Sequence, residues 1–269
     1  MPYLEQAGFG SAALIRTLDL RYDLLSALVE RWRPETHTFY FSCGECTVTL
    51  EDVALQLGLP IDRSPVTGVS SFTDPAALSN ATEGELMCAA RAYIMHILGG
   101  VLMPDANNNK VHMMYLPLLA DLSNVRSYSW GSAVLAVLYR KLCRTTKPSA
   151  VDMGRCLTLL HREVTHCPDI PTHDRTVCQG RAVIPSSAYV HSEMWCTNAP
   201  IINFNVVEWY HGDQVLRQFG CIQYIPDPPC EVGVVHVINK RGKLQLDWGL
   251  STENLLRCRT IGWVEDLRW

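Results

Sequence analysis

The residues most able to do chemistry in this sequence are cysteines and histidines, and their spacing limits what they could bind. Cys43 and Cys46 form one Cys-x-x-Cys pair, which is half of a typical structural zinc site. The nearest further ligand type is His37, and the next cysteine along the chain is Cys88. Because one half-site does not hold a zinc ion, the sequence favours two free thiols here.

The densest group of metal-type ligands lies between residues 161 and 178, and its spacing matches no common zinc pattern. His161 and His166 are five positions apart, about 140° around a helix, whereas a metalloprotease helix needs two histidines four apart on one face. A zinc deaminase would need a Pro-Cys-x-x-Cys run, but Pro229-Cys230 is followed by Gly233 at the second cysteine position. We therefore predict no metal ion at this group. Its members are His161, His166, Cys167, His173 and Cys178.

Other catalytic patterns are also missing from the sequence. Gly68-Val-Ser-Ser-Phe72 lacks the second glycine of a nucleophile elbow, and there is no glycine-rich phosphate loop. A pyridoxal enzyme needs a Schiff-base lysine in a cofactor pocket, and none of the five lysines stands in such a context. The sequence therefore predicts no catalytic residues, no metal and no cofactor.

Composition narrows the class of protein further. The chain has 269 residues, of which 48% are hydrophobic and 19% charged, with a formal net charge of -4. This composition is typical of a globular protein and argues against disorder or general polyanion binding. The 11 cysteines are odd in number and scattered, and the first ten residues do not resemble a signal peptide. We therefore expect reduced, intracellular thiols.

Neither membrane nor nucleic acid is favoured as a partner. The longest apolar window, 89–103, is interrupted by Arg91 and His96, so we expect no membrane span. The best basic cluster is Lys240-Arg-Gly-Lys243, which is first a turn signal. Without a basic stripe, direct nucleic-acid binding is not expected.

Hydrophobic periodicity predicts one mainly α-helical domain with short β-hairpins. Thr49 is a typical helix cap and Gly58 a typical helix end, while Thr82 and Glu85 predict a capping box for the strongest helix. Leu86 and Tyr93 belong to the apolar stripe predicted for that helix. The predicted helices lie between Asp19 and Pro34 and at 50–57, 82–101, 115–122, 130–143, 152–164 and 213–219; the predicted strands are 36–41, 43–49, 201–207, 232–239 and 244–248.

Several long runs occur in a fixed order along most of the chain. They are LVERWRPETHTF at 28–39, GECTVTLEDVA at 44–54, QLGLPI at 56–61, YLPLL at 115–119, YSWGSAVLA at 128–136, and RQFG at 217–220 followed by Ile225-Pro226. Together these runs resemble the plant mobile domain, which is found in MAINTENANCE OF MERISTEMS-like proteins and in plant transposons.

The resemblance implies a function that the composition does not reveal. Members of this family are mainly nuclear and are implicated in meristem maintenance, genome stability and transposon silencing. Some act with, or are fused to, a phosphatase-like protein of the plant phosphatase 7 type. The family is also labelled aminotransferase-like, which no motif in this sequence supports. We therefore expect a non-enzymatic nuclear protein-interaction domain. The alternatives are a transposon-derived accessory protein that contacts DNA, a transferase-type enzyme, or a degenerate copy without function.

The resemblance also suggests boundaries and candidate residues. We expect a plant mobile domain over 1–249, with family segments missing near 68–82 and 162–183, and a divergent tail over 250–269. This pattern indicates a shortened copy. A degenerate copy would leave apolar faces uncovered where those segments are missing. The candidate interaction residues match the family runs, and structural roles remain an alternative for each of them: Arg31, Trp32, Arg33, Glu35, Trp130, Arg217 and Gln218.

Overall fold

The computed structural model describes residues 2–15, 22–42, 44–67, 81–103, 112–146, 160, 192–204, 206–226 and 228. Within these ranges the chain is mainly helical with short antiparallel strands, which confirms the predicted fold class. The α-helices are α1 (Pro2–Gln6), α2 (Tyr22–Arg31), α3 (Leu50–Leu57), α4 (Ala81–His96) and α5 (Trp130–Thr145). The strands are β1 (Trp32–Arg33), β2 (Thr38–Phe41), β3 (Gly44–Cys46), β4 (Asn198–Asn203) and β5 (Val206–His211).

The helix predicted before Pro34 ends earlier than its apolar spacing suggests. Helix α2 stops at Arg31, and Trp32 begins strand β1. Trp32 then pairs with Phe39 of β2, and β3 completes an antiparallel sheet of order β1-β2-β3. Trp32 is buried in β1, and its apolar side chain also fits the helical spacing, so periodicity alone could not distinguish a helix end from a strand start.

Helix α3 has the boundaries and caps that the sequence predicts. The Thr49 hydroxyl accepts from the Asp52 backbone N–H, and the Asp52 carboxylate accepts from the Thr49 backbone N–H at 2.7 Å. Gly58 ends the helix with φ of 64°, a left-handed conformation that glycine adopts without steric cost.

The strongest predicted helix, α4, differs from expectation at its start and on its surface. It begins at Ala81, so Thr82 lies inside the helix rather than at the predicted cap. Ile94 and Leu98 are buried, but Leu86 is 57% exposed and Tyr93 is 40% exposed. The predicted apolar stripe is therefore wider than the face that packs on the core. After His96 the helix continues as a π-helical turn, Ile97–Leu102.

The helical stretch Glu83–Leu102 is long and apolar enough to cross a membrane by length and composition alone. Core helices of soluble proteins pass the same test. Here Ile94 packs in the core, and Arg91 donates to the backbone carbonyls of Leu119 and Ala120 at 2.9 and 2.6 Å. We therefore read this stretch as a core helix of the domain.

Helix α5 is the centre of the core. Trp130 is fully buried, and its indole N–H donates to the Val125 carbonyl at 2.8 Å. Gly131 lies so close to the preceding loop that a Cβ there would stand 2.8 Å from Ile61 Cγ2 and 3.0 Å from the Pro60 carbonyl oxygen. A side chain at position 131 would therefore push α5 away from that loop.

The single strand predicted at 201–207 is wrong, because the structure has a hairpin there. Strand β4 pairs with β5 in antiparallel register from Asn198–His211 to Asn203–Val206, and α5 packs against both strands. In the structure Glu208 is fully buried within β5.

Two other predicted helices form as 3-10 turns. The helix predicted at 115–122 is a 3-10 helix, Met113–Leu119, with Pro117 inside it. The segment from Asp213 forms the 3-10 helix Gly212–Phe219, called here the C-terminal 3-10 helix, which ends at the left-handed Gly220. Asp213 lies in its first turn, and His211 precedes it at the cap position.

Some predictions lie outside the described residues. These are most of the helix at 152–164, the strands at 232–239 and 244–248, and the Cys/His group at 161–178. Leu160, which is described, is helical and buried. The loop predicted from Ile61 onward is described as far as residue 67, where Ser64 bridges to Tyr128 and Val66 to Asn203.

Candidate interaction site

The structure brings three separated family-like runs together at the three-stranded sheet. Gln218, on the C-terminal 3-10 helix, hydrogen-bonds the backbone of Thr47 just after β3. The Thr47 N–H donates to Gln218 Oε1 at 2.7 Å, and Gln218 Nε2 donates to the Thr47 carbonyl at 3.0 Å. This pair of bonds replaces a neighbouring strand at that point, and gives Gln218 a structural role.

Trp32 anchors the inner face of the sheet. Its ring lies 4.8 Å from Phe39 and 5.5 Å from Tyr139 of α5, centroid to centroid. Its indole N–H donates to the Cys143 sulfur at 3.3 Å. Trp32 is therefore a core residue, and its side chain is not available to a partner. Trp130 has the same status, because it is fully buried in α5.

A buried charge cluster lies beneath the sheet and joins three elements. Glu208 of β5 contacts the Nε of Arg140 on α5, and its second oxygen lies 3.2 Å from Nε2 of His37 in the β1–β2 turn. Arg140 also donates from Nη2 to the Val207 carbonyl at 3.0 Å. The Glu208 side chain is 0% exposed and that of His37 is 5% exposed. A charge buried this deeply requires a paired partner, and Glu208 has two.

The surroundings of His37 favour its protonated form. Its Nδ1 lies 2.8 Å from the Trp209 carbonyl, which only accepts hydrogen bonds, and its Nε2 faces the Glu208 carboxylate. An imidazolium ring, which carries a proton on both nitrogens, suits two acceptors placed in this way. Burial disfavours that charge, but hydrogen bonds to Cys143 and Glu208 outweigh burial and raise the pKa of His37 from 6.5 to about 9.

The backbone at His37 is shaped to make these contacts. Its φ is 55°, in the left-handed region that few residues other than glycine adopt. The Thr47 hydroxyl donates to the His37 carbonyl at 2.5 Å, and the His37 ring stacks on Tyr139 with centroids 4.8 Å apart. The surrounding contacts therefore hold this conformation against its intrinsic cost.

A second buried histidine adjoins the cluster in the opposite protonation state. His211, at the end of β5, has its ring centroid 6.0 Å from that of His37. Burial, and then the positive charge of His37, lower the pKa of His211 from 6.5 to about 4. At neutral pH one histidine is therefore charged and its neighbour is neutral.

The outer face of the sheet exposes polar and aromatic side chains. The guanidinium carbon of Arg33 lies 5.2 Å from the ring centroid of Tyr40, which is 54% exposed. Tyr40 pairs across the strands with Glu45, whose carboxylate accepts from the Thr38 hydroxyl at 2.8 Å. We call Arg33, Tyr40 and Glu45 the outer sheet face.

The remaining candidate residues lie at the edges of this region. Arg31 is exposed, and its side chain donates to the Ala27 carbonyl of its own helix at 2.8 Å. Glu35 is exposed in the β1–β2 turn. Arg217 is exposed and approaches β3, since a Cβ on Gly44 would lie 3.9 Å from its Nη1.

The described residues contain no group of three or more His, Cys, Asp or Glu side chains placed to hold a metal ion. The described cysteines, Cys46 among them, form no disulfide, and Cys43 lies outside the described residues. The cysteines and histidines at 161–178 also lie outside them, so the metal predictions there stay predictions.

Sequence reasoning named His37 only as a possible zinc neighbour, and it missed Glu208 and Arg140 entirely. One signal was present: Glu208 is the acidic residue inside the apolar run Val206–His211. What this cluster can do chemically is limited by its burial, because Glu208 is already engaged by two cations. The cluster has a structural role: it joins β5, α5 and the β1–β2 turn beneath the exposed sheet face.

Comparison with known proteins identifies the family and several relatives of this chain. The family model "Plant mobile domain" matches residues 8–87 and 71–162. The chain is 33% identical to "Serine/threonine-protein phosphatase 7 long form homolog" of Arabidopsis thaliana, over 91% of this chain and 25% of that protein. It is 30% identical to "Protein MAINTENANCE OF MERISTEMS" of the same plant, over 83% of this chain and 62% of the relative. With "Protein MAIN-LIKE 2" it shares 39% identity over 58% of this chain and 28% of the relative.

Two facts qualify these similarities. The chain spans between a quarter and about three fifths of the length of these relatives. The alignment to the phosphatase 7 homolog extends over 333 positions, more than the 269 residues of this chain, so that relative carries residues that this chain lacks. None of the solved structures matches significantly.

Proposed function

Because this chain belongs to the plant mobile domain family, we propose that it is a non-enzymatic nuclear protein-interaction domain acting in transposon and gene silencing, genome stability and meristem maintenance. The outer sheet face is the observation that supports a role in protein interaction. Its Arg33–Tyr40 cation–π pair is exposed, while Trp32 and Phe39 on the other side of the same strands are buried. Arginine and tyrosine are frequent energetic anchors at protein interfaces.

Rigid support makes this face a suitable binding surface. The sheet is fixed from below by the packing of Trp32 on Tyr139 and at its edge by the Gln218–Thr47 bonds. A partner that binds a preorganised face does not have to order it, so less conformational entropy is lost on binding.

The partner we propose is a phosphatase-like protein of the plant phosphatase 7 type. One relative carries phosphatase 7 in its name and another carries MAINTENANCE OF MERISTEMS, which supports a connection between these two kinds of protein. Direct DNA contact is less well supported, because the sheet and its turn carry Glu35 and Glu45 as well as Arg33, which gives this region mixed charge. No membrane association is proposed.

The experiment that tests this proposal is affinity purification from plant nuclei followed by mass spectrometry. Tagged wild type is compared with an Arg33→Glu/Tyr40→Ala variant. A matched control, Arg63→Glu/Tyr224→Ala, makes the same changes at residues that are also exposed. We expect wild type and control to recover a phosphatase-like or chromatin partner, and the outer-face variant to recover at least tenfold less.

Each other outcome has a definite meaning. Equal recovery by all three proteins would place the binding surface elsewhere on the chain. Recovery of no phosphatase-like or chromatin protein by wild type would contradict the interaction proposal itself. A fluorescent fusion that is excluded from the nucleus would contradict the nuclear part.

A further inference from the structure

Helix α4 carries a stripe of exposed, mostly apolar side chains on the side that faces away from the core. Leu86, Ala89, Tyr93 and His96 are all exposed, and they follow one another at alternating spacings of three and four residues. A repeat of this kind places all four on one side of the helix, as in the seam along which two helices of a coiled coil pack. We call these four residues the exposed α4 stripe.

Contacts within the helix give the stripe a defined shape. The ring centroids of Tyr93 and His96 are 6.4 Å apart. A Cβ on Gly100 would lie 3.4 Å from Cε1 of His96, so the imidazole lies against the π-helical turn that follows α4. Ile94 and Met95, on the opposite side of the helix, pack in the core. The core therefore holds the helix in place, and the stripe is a preformed surface.

The stripe begins where the match to the family is interrupted. The family model matches in two pieces, 8–87 and 71–162, which overlap at the start of α4. A shortened copy is expected to expose apolar surface at such a place, and contiguous exposed apolar surface on a soluble protein marks interaction sites. A surface left over in a degenerate copy would have no need of a matching shape and charge, whereas this stripe is complementary to itself.

We propose that the exposed α4 stripe docks against the same stripe of a second copy of this chain, with the two helices antiparallel about a two-fold axis at the level of residue 91. In that register Ala89 faces Tyr93 of the second copy, and Leu86 faces His96. The small alanine leaves room for the tyrosine ring, so large and small side chains interdigitate across the contact. This inference does not depend on the proposed partner, because the stripe contains none of the residues of the outer sheet face.

Charge favours the antiparallel arrangement over a parallel one. Glu83 lies in the first turn of α4, Glu85 is exposed beside it, and His96 is the basic residue of the last turn. Antiparallel packing sets the acidic end of each helix beside His96 of the other copy, and the two-fold axis repeats this contact at both ends. Parallel packing would set glutamates beside glutamates, which is unfavourable because like charges repel.

The size of the contact sets the expected affinity. The helical stretch Glu83–Leu102 has 20 residues, which gives a length of about 30 Å at about 1.5 Å per residue and a width of about 10 Å. A strip of this size offers well below the ~800 Å² per partner that is typical of a stable interface. We therefore expect a reversible dimer with a dissociation constant on the order of 10 μM.

Sedimentation velocity of the full chain, at concentrations on both sides of that dissociation constant, tests the proposal. We expect wild type to change from monomer to dimer as its concentration rises. Leu86→Glu/Tyr93→Glu places a carboxylate at two positions of the stripe and should raise the dissociation constant at least tenfold, because each carboxylate would lose its water on docking. A matched control, Leu14→Glu/Tyr224→Glu, makes the same changes at an exposed leucine and an exposed tyrosine outside α4 and should dimerise like wild type.

Two results would overturn the proposal. Wild type that stays monomeric at every concentration would leave the stripe to another segment of this chain or to a different protein. Equal dimerisation of wild type and both variants would place the contact elsewhere on the chain. The first result is read on wild type, so it does not depend on how the variants fold.

Disulfide cross-linking tests the register. Ala89→Cys and Tyr93→Cys are made in separate chains that also carry Cys88→Ser, and the two chains are mixed and oxidised. Trypsin places the new cysteines in peptides 64–91 and 92–110, which contain no other cysteine in that background. We expect the main product to join 64–91 of one chain to 92–110 of the other, because a disulfide requires Cβ atoms about 4 Å apart. Products that mainly join two copies of the same peptide would show a parallel pair and overturn the antiparallel arrangement.

Discussion

Gln218 and Thr47 are 171 positions apart in sequence and are joined by two hydrogen bonds, of 2.7 and 3.0 Å. One amide side chain satisfies both the N–H and the carbonyl of the same buried residue. Because the bonds run in opposite directions, only a group that both donates and accepts can make them. Through these two bonds, Gln218 fixes the C-terminal 3-10 helix to the sheet.

Replacing Gln218 by alanine is expected to destabilise the protein by about 2 kcal/mol, because the buried Thr47 N–H and carbonyl lose their partners. Gln218→Glu should also destabilise it, since a carboxylate accepts from the N–H but repels the carbonyl. Urea unfolding monitored by tryptophan fluorescence measures both effects. Arg217→Ala is the control, because that neighbouring side chain is exposed, and its stability should match wild type.

Stability is expected to fall as pH rises through 9. The folded pKa of His37 is about 9 against 6.5 in the unfolded chain, so protonation stabilises the fold fully below pH 6.5. That contribution is lost on deprotonation and is on the order of 3 kcal/mol. Among the described residues, the titratable groups that face His37 are Glu208, Cys143, Tyr139 and His211.

The measurement is the free energy of unfolding from pH 6 to 10 in wild type and in His37→Gln. Other groups that titrate in this range are present in both proteins, so their contributions cancel in the difference. The stability difference between the two proteins should shrink as pH rises from 6.5 to 9 and stay small above pH 9. A difference that stays constant with pH would show that His37 carries no charge in the fold.

Removing the charge of His37 is expected to raise the pKa of His211. The pKa of His211 is about 4, lowered first by burial and then by the charge of His37, so His37→Gln should move it toward 6.5. A histidine with a lowered folded pKa stabilises the protein above pH 6.5 and loses that contribution as pH falls through 4.

Histidine ring signals in an NMR pH titration measure this effect directly. His96→Gln serves as the control, since His96 is exposed on α4. An unchanged His211 titration in His37→Gln would mean that the two rings do not interact electrostatically.

Glu208→Gln is expected to be severely destabilising, by about 3–5 kcal/mol, because it removes the carboxylate that faces the buried His37 and the partly buried Arg140. Chemical denaturation provides the measurement. Glu30→Gln removes the same charge from an exposed position on α2 and should change stability by less than about 0.5 kcal/mol. Similar losses in both variants would argue for a net-charge effect instead of a buried cluster.

Gly131→Ala is expected to cost about 1–3 kcal/mol, because the added methyl group would overlap Ile61 and the Pro60 carbonyl. Gly100→Ala is the matched control, since a methyl group there meets its nearest atom, in the His96 ring, at 3.4 Å. Thermal unfolding of the two variants gives the comparison. Equal melting temperatures would show that α5 can shift away from the loop without loss.

Local patterns in the sequence predicted the elements that depend on local physics. The limits and caps of α3, the helix starting at Trp130 and the glycine end at Gly220 were all readable, because caps and periodicity involve residues a few positions apart. The predicted apolar stripe of α4 was wider than the face that is buried, because hydrophobic spacing does not say how much of a helix surface the rest of the chain covers.

The sequence by itself determined the mainly helical class, the family and the residues in its ordered runs. Only the tertiary structure decided what those residues do: Trp32 and Trp130 pack the core, Gln218 locks the sheet, and Arg33 lies exposed beside Tyr40. It also revealed Glu208 as a buried counter-ion. The physical reason is that burial and pairing depend on contacts between residues more than 170 positions apart, which no local sequence pattern encodes.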